Sequence, residues 1–235
     1  MPYPFAHPAA VLPLAGAMGR YAVPSALALG SMIPDTWYLV PLLTRDDSHS
    51  LGGLFWYCLP AGLLAYLAFH LLLKQPLLAL LPGAFSSRLG AFASPALPGA
   101  GWPAVLASLL AGAFTHFVWD ALTHERFVVH GFQVLQHAST LLGTAVLAAW
   151  LARWFRRAPA RELPAGLRLA PRVRHGMLGL LIGLSAGWAL AGAESLALPH
   201  TVDEWRDALR ATGTAGAQAL ALSTIGYAML WKLLR

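Results

Sequence analysis

Residues 101–124 read GWPAVLASLLAGAFTHFVWDALTH, and this stretch decides the class of fold. An aromatic residue, Trp102, stands near its start, and small and apolar residues follow, with no charged side chain before Asp120. Its length matches the about 20 residues that a helix needs to cross the hydrocarbon core of a bilayer. The stretch therefore predicts a membrane-spanning helix that carries polar groups near its C-terminal end.

The rest of the chain is also rich in apolar residues and poor in charged ones. Of its 235 residues, 57% are hydrophobic and 11% are charged, whereas a soluble domain carries about 25% charged residues. Too few charges are present to cover a water-facing globule. We therefore predict an all-α integral membrane helical bundle with about five transmembrane helices, at residues 54–73, 101–122, 134–152, 176–198 and 214–233.

Arginines concentrate in residues 153–175, and they predict the orientation. Seven arginines stand there against one acid, Glu162. Cytoplasmic loops carry such an excess of positive charge. The segment and the C-terminus are then cytoplasmic, and the outer loops are 34–53, 123–133 and 199–213. Because no nucleic-acid motif accompanies the arginines, we expect a lipid bilayer as the partner and no nucleic acid.

Three polar residues share one face of the central helix. His116, Asp120 and His124 are spaced four residues apart, so the three positions span only about 80° of the circumference of a helix. Imidazole nitrogens and a carboxylate on one face suit zinc or a similar divalent ion. The alternative is a polar helix end at the membrane surface. Ionisable groups inside an apolar run favour the metal site.

The other candidates are weak when taken singly. Asp35 is also a residue that caps helices, and His49 and His137 are also typical of loops and membrane interfaces. The orientation derived from the arginines uses no histidine, yet it places all three at the outer face together with the central group. Because all of these residues are expected in one layer at the outer face, we predict that they form one metal site.

The N-terminal segment allows two interpretations. Residues 8–19 and 22–33 are each too short to span a bilayer, and Arg20 separates them. They form either one helix kinked at Pro24 or a re-entrant hairpin with both ends outside. We predict the hairpin because it adds His7 to the outer layer.

The order of these residues resembles a known pattern. His7, Asp35, His49, His116-x-x-x-Asp120, His124 and His137 follow the ligand order of the zinc-dependent phospholipase C and S1/P1 nuclease group. Residues 1–155 are also similar to a bacterial family of multi-pass membrane proteins, a domain of unknown function, related to predicted membrane-bound metal-dependent hydrolases. That similarity is carried by HPAAVLPL (7–14), GSMIPD (30–35), HxxWDxxTH (116–124) and Gln136-His137.

The resemblance implies zinc ligands at these positions and a location in the bacterial inner (plasma) membrane. Two departures reduce the expected number of ions to one or two. Leu141 stands where the phospholipase group has a glutamate, and Met1-Pro2 does not offer that group's N-terminal zinc ligand. Glu194, inside a predicted span, is the candidate for the missing carboxylate, against the alternative of an acid satisfied by a neighbouring helix.

Two functions follow as hypotheses. The first is a metal-dependent hydrolase that cleaves a phosphoester or lipid-linked substrate at the outer face, with Asp120 or Glu194 as the catalytic base. The alternative is a non-enzymatic membrane protein with a structural or sensing metal site. In either case we expect a metal-site membrane domain at 1–155, a basic cytoplasmic loop at 156–175 and a C-terminal helical hairpin at 176–235.

The orientation yields the first testable prediction. A cysteine introduced as Ala165→Cys on the Cys58→Ser background should react with a membrane-impermeant maleimide only after the cells are permeabilised, because the arginine-rich loop is cytoplasmic. A cysteine in the 199–213 loop should react in intact cells. Labelling of residue 165 from outside would refute this orientation.

Overall fold

The computed structural model describes residues 4–39, 44–94, 99, 101–123, 132–194 and 201–234. Within these residues all regular structure is helical, in agreement with the predicted all-α class. The longer helices are α1 (Val11–Met18), α2 (Pro24–Met32), α3 (Leu51–Leu80), α4 (Gly83–Leu89), α5 (Trp102–Thr123), α6 (Phe132–Arg157), α7 (Pro171–Glu194) and α8 (Val202–Leu233).

Short elements connect these helices. They comprise the single α-helical turn Arg45–Ser48 and the 3₁₀ helices Pro4–Ala9, Gly19–Tyr21, Ile33–Leu39, Gly90–Phe92 and Ala165–Leu167. Two stretches of α3 have π-helical hydrogen bonding, Leu54–Cys58 and Ala68–Leu73. Such bulges occur in helices frequently at functional sites.

Four helices are long and apolar enough to cross a membrane, which indicates a membrane protein. They are α3, α5, α6 over Val134–Arg157 and α7 over Pro171–Gly192. The fifth predicted span, 214–233, lies within the helix α8, but α8 is not among the four. The count of five therefore remains a prediction.

The chain divides into two compact units. The first comprises Met1–Ala68 and Leu97–Ala158, and the second comprises Phe69–Ala96 and Pro159–Arg235. In the second unit, α7 packs along α8, and the buried aromatic residues Tyr227 and Trp231 belong to its core. All of the chemistry discussed below lies in the first unit.

The N-terminal segment of the first unit is a helical hairpin. Helix α1 ends at Gly19, whose φ of 52° lies in the left-handed region that glycine adopts without strain. The 3₁₀ turn Gly19–Tyr21 and the extended residues Ala22 and Val23 follow, and Pro24 then begins α2 at a position where a proline fits. The chain therefore returns from α1 along α2, and the segments on either side of the pair come together. That the hairpin is re-entrant in a bilayer remains a prediction.

Helices α2 and α5 make a close backbone contact in the first unit. A Cβ atom on Gly30 would overlap the carbonyl oxygen of Leu109, and one on Gly112 would overlap the carbonyl oxygen of Leu27. Small residues permit this approach between membrane helices, where van der Waals packing drives association. The contact is reinforced by the hydroxyl of Ser108, which accepts a hydrogen bond of 3.0 Å from the backbone N–H of Val23.

This contact gives a stability prediction. Gly112→Ala should destabilise the protein by about 1–3 kcal/mol, because the added methyl group overpacks a backbone contact. Thermal unfolding in detergent would measure the effect. Gly183→Ala is the matched control, since a Cβ on Gly183 meets nothing within 4 Å and alanine favours a helix. Equal melting temperatures for the two variants would contradict the tight α2–α5 contact.

Candidate metal centre

Helix α5 supplies two polar side chains to the interior of the first unit. His116 is fully buried and Asp120 is 6% exposed. They are one turn apart, and His116 Nε2 lies 3.6 Å from Asp120 Oδ2. Their buried positions on an otherwise apolar helix follow from the four-residue spacing that the sequence displays.

The close α2–α5 contact orients His116. Its Nδ1 lies 2.9 Å from the carbonyl oxygen of Ser31, at the end of α2. A carbonyl only accepts, so Nδ1 carries the proton and Nε2 presents its lone pair. A histidine that ligates a metal through one nitrogen typically donates the other N–H to such a partner.

A capped turn orients His49 in the same way. Thr44 and Asp47 form a capping box that starts the turn Arg45–Ser48, and His49 ends it. Its Nδ1 lies 3.2 Å from the carbonyl oxygen of Arg45 and 2.8 Å from Ser48 Oγ. Because the Ser48 hydroxyl donates to that same carbonyl, its oxygen is free to accept from His49 Nδ1–H. His49 Nε2 therefore also presents a lone pair.

Asp35 completes the group from the 3₁₀ helix Ile33–Leu39, and it is 3% exposed. Its Oδ1 lies 3.6 Å from His116 Nε2 and 3.7 Å from His49 Nε2. Asp120 Oδ2 lies 3.5 Å from His49 Nε2. One ligand atom from each of the four residues falls within 4.8 Å of all the others.

The spacing of these atoms suits a tetrahedral ion. Zinc–ligand bonds of about 2.0–2.2 Å place tetrahedral ligand atoms about 3.3–3.6 Å apart. The two Nε2 atoms are 3.2 Å apart, the four nitrogen–oxygen distances are 3.5–3.7 Å, and all four ligand atoms lie within 4.8 Å of one another. Two nitrogens at 3.2 Å need either a proton or a metal ion between them, because two facing lone pairs would repel. The buried cluster of Asp35, His49, His116 and Asp120 can therefore bind a metal ion.

His7 lies directly against this group. Its ring stacks on His116 with centroids 3.8 Å apart, and its Nε2 is 3.7 Å from Asp35 Oδ2. The side chain is fully buried, and neither ring nitrogen has a hydrogen-bond partner. The hairpin thus brings His7 and Asp35 together, as expected from the sequence.

His7 and His49, which both lie outside the candidate membrane spans, differ in their electrostatics. Burial, together with the neighbouring His116, lowers the pKa of His7 to about 4, so His7 is a neutral potential ligand at neutral pH. Burial also acts to lower the pKa of His49, but hydrogen bonds to Asp120 and Asp35 outweigh it and raise that pKa. A metal ion must therefore compete with a proton for His49.

Arg45 is a member of the site that sequence reasoning missed. The sequence places it beside Asp46 and Asp47, which is typical of a solvated loop. In the structure its Nη2 donates to Asp120 Oδ2 at 3.0 Å, and its side chain is 38% exposed. The sequence did contain a sign of this role. Arg45 stands four residues before His49, so the two share one face of the helical turn.

Of the three remaining predicted residues, His137 is the one whose side chain the structure describes, and it is not part of this cluster. His124 lies outside the described residues. His137 is exposed on α6, where the neighbouring Gln136 is the buried residue, so the helix turns His137 away from the interior. Glu194 is the last residue of α7, in the second unit, and its side chain lies outside the described part. Its role as a base stays a prediction.

The chain belongs to the family described as "Domain of unknown function (DUF4184)", which matches residues 1–229. The match therefore includes the cluster and both compact units. No curated protein and no solved structure matches the sequence.

The cluster predicts metal binding that depends on particular side chains. Purified protein should retain zinc through dialysis, and His116→Ala should weaken zinc binding by more than about a hundredfold, because it removes one of the tetrahedral ligands. Elemental analysis and competition with a chromogenic chelator would measure this. His137→Ala is the control and should bind zinc like the wild type. Equal zinc affinity of the two variants would contradict the assignment.

The same titration has a pH dependence. Only neutral imidazoles bind metal, so the affinity should fall as the pH is lowered through about 6.5 and below. Since the pKa of His49 is raised, the decline should begin above the ordinary histidine pKa. An affinity that is constant from neutral pH to about pH 5 would show that histidines do not hold the ion.

Proposed function

We propose that this member of the DUF4184 family is a zinc-dependent hydrolase that cleaves a phosphoester, or a similar ester, of a lipid-linked substrate. The observation that carries the proposal is the buried set of four ligand atoms, which all lie within 4.8 Å of one another. Two imidazoles and two carboxylates in that geometry favour zinc among the divalent ions. A bound zinc ion lowers the pKa of water and polarises an ester oxygen.

Catalytic zinc sites typically have three protein ligands and one open position. We assign Asp35, His49 and His116 as the permanent ligands, since the two imidazoles are each fixed by a backbone carbonyl. Asp120 is the fourth. It is either a weaker ligand or the general base that takes the proton from the attacking water. The hydrogen bond from Arg45 competes for its Oδ2 and favours the second role.

Arg45 supports a negatively charged substrate. It is the cation that contacts the cluster, and more than a third of its side chain is exposed. A guanidinium offers several donors in a fork that matches phosphate oxygens, so Arg45 can hold Asp120 and a phosphoryl oxygen together. This placement favours phosphoesters over neutral esters.

His7 fits a second ion at the same centre. It faces the other oxygen of Asp35, Oδ2, at 3.7 Å, which is again a spacing between two ligands of one ion. His7 and Asp35 would then hold this second ion, in keeping with the one or two metals expected from the sequence. The unpaired nitrogens of His7 support this assignment.

We further propose that the centre lies at the outer face of a bacterial inner membrane, with the C-terminus in the cytoplasm. The arginine-rich segment falls between two candidate spans, Val134–Arg157 and Pro171–Gly192, where a cytoplasmic loop would lie. Helix α5 then ends outside, close to His116 and Asp120. In this arrangement α8 contributes the fifth span, and the α1–α2 hairpin is re-entrant.

One observation favours a non-enzymatic alternative. Four protein ligands fill a tetrahedron, and structural zinc sites are closed in this way. The cluster would then hold the α1–α2 hairpin against α5, or would sense metal. The substitution Asp120→Asn separates the two functions, because the amide no longer acts as a base and binds zinc more weakly than a carboxylate.

The hydrolase proposal predicts different effects for two substitutions. With zinc and a short-chain phospholipid in detergent, the wild type should release product above the metal-free background. Asp120→Asn should retain zinc and lose about 10²–10⁴ in kcat, as expected for a general base. Arg45→Gln should lower kcat/KM by about 10²–10³, since it removes a donor to the charged phosphoryl group.

His137→Ala should have wild-type activity and serves as the control. If Asp120→Asn releases the metal, and the wild type hydrolyses neither phosphoesters nor carboxyl esters above background, the closed structural site is the correct interpretation. Zinc-dependent turnover that survives Asp120→Asn unchanged would remove Asp120 from the catalytic role while leaving the hydrolase intact.

A further inference from the structure

An apolar groove runs beside the metal centre in the first unit. It has a volume of about 610 Å³ and is bordered by α1, α5 and α6, which is within the range of about 300–1,000 Å³ for small-molecule sites. Large apolar residues dominate its lining, including Leu14, Phe114, Val118, Trp119, Leu122 and Leu142. Among the described residues, none that lines it is charged.

The hydroxyl groups in the lining are already satisfied. The hydroxyls of Thr115, Thr123 and Ser139 each donate to a backbone carbonyl of their own helix, at 2.7–2.9 Å. Trp119 Nε1 is buried and has no hydrogen-bond partner among the described residues. It is one donor in a lining that is otherwise apolar or internally hydrogen-bonded, and such a lining suits a hydrocarbon.

The groove is continuous with the surface that faces the bilayer. Val118, Leu122 and Leu142 lie on candidate spans, and 44–65% of each side chain is exposed. A hydrocarbon chain can enter sideways from the lipid without crossing a polar layer.

The groove also adjoins the metal centre. Trp119 lines the groove, and its ring meets that of His7 edge-on with centroids 5.9 Å apart. Ala10, which lines the groove too, donates its N–H to the carbonyl oxygen of His7 at 2.9 Å. One indole ring thus separates the hydrocarbon site from the charged cluster, and Gly143 lets α6 pack against that ring.

We propose that this groove binds one fatty acyl chain of the substrate while the phosphate-bearing headgroup lies at the cluster. The proposal rests on the hydrolase function above and specifies its substrate as a membrane phospholipid or similar acyl phosphoester. Charge complementarity agrees with it, since Arg45 faces the cluster and the groove itself is uncharged. The substrate is held at both ends, and Trp119 sets the distance between tail and headgroup.

Photocrosslinking tests the groove without requiring catalysis. The probe is phosphatidic acid with a diazirine in one acyl chain, supplied at low fraction in phosphatidylcholine nanodiscs that contain the full-length protein. We expect adducts at Val118, Leu122 and Leu142 in excess over adducts at the exposed Ile182 of α7. Unlabelled phosphatidic acid should compete for the groove adducts, and additional phosphatidylcholine should not.

Two substitutions on α6 provide a matched pair. Leu142→Trp fills the groove, whereas Leu141→Trp adds the same bulk to a neighbouring exposed residue that does not line it. Leu142→Trp should reduce groove adducts severalfold and keep zinc binding. It should also lower kcat/KM for a long-chain phospholipid by roughly tenfold while leaving a water-soluble phosphoester unaffected. Leu141→Trp should resemble the wild type in every measurement.

The outcomes separate the groove from the hydrolase function. Competed adducts in a protein that shows no hydrolysis would support the groove and refute the function. Adducts spread evenly over all exposed helix faces, or equal behaviour of Leu142→Trp and Leu141→Trp, would overturn the groove proposal even if hydrolysis is observed. A co-purifying protein helix crosslinked at the groove instead of lipid would overturn it as well.

Discussion

The contact between the backbones of α2 and α5 is the constraint on which the rest of the first unit depends. Gly30 and Gly112 have no side chains, so the two helices approach until each glycine meets a carbonyl of the other helix. That approach places the carbonyl of Ser31 within hydrogen-bond distance of His116. It also brings the residues that follow α2, including Asp35, over the end of α5. The packing of α2 against α5 therefore also positions the ligands.

This packing buries two carboxylates, and a cation between them would offset the cost of their burial. Asp35 and Asp120 are almost completely buried, and burial of a carboxylate is costly unless an opposite charge accompanies it. Among the described carboxylates, Arg45 forms its ion pair with Asp120, and its side chain is partly exposed. A divalent ion among the four ligand atoms would balance both carboxylates. Metal binding would then also stabilise the unit.

The sequence predicted what depends on local spacing. His116 and Asp120 were identifiable because residues four apart share a helix face, and the all-helical class followed from the apolar runs. Asp35 and His49 are far from α5 in sequence. They could be connected with it only through the orientation predicted from the arginines. Arg45 was missed because exposed acids flank it and only the tertiary contact with Asp120 reveals it. His137 is predicted in the same outer layer, but a layer does not specify which way a side chain faces.

The spacing of the ligands along the chain bears on biogenesis. Asp35 and His49 are synthesised well before His116 and Asp120, and α3 lies between the two pairs. No ion can be held by all four residues until α5 has entered the bilayer and met α2. Loading of this cluster with metal would therefore be a late step of assembly. A bound ion would hold together two parts of the first unit that are synthesised far apart in time.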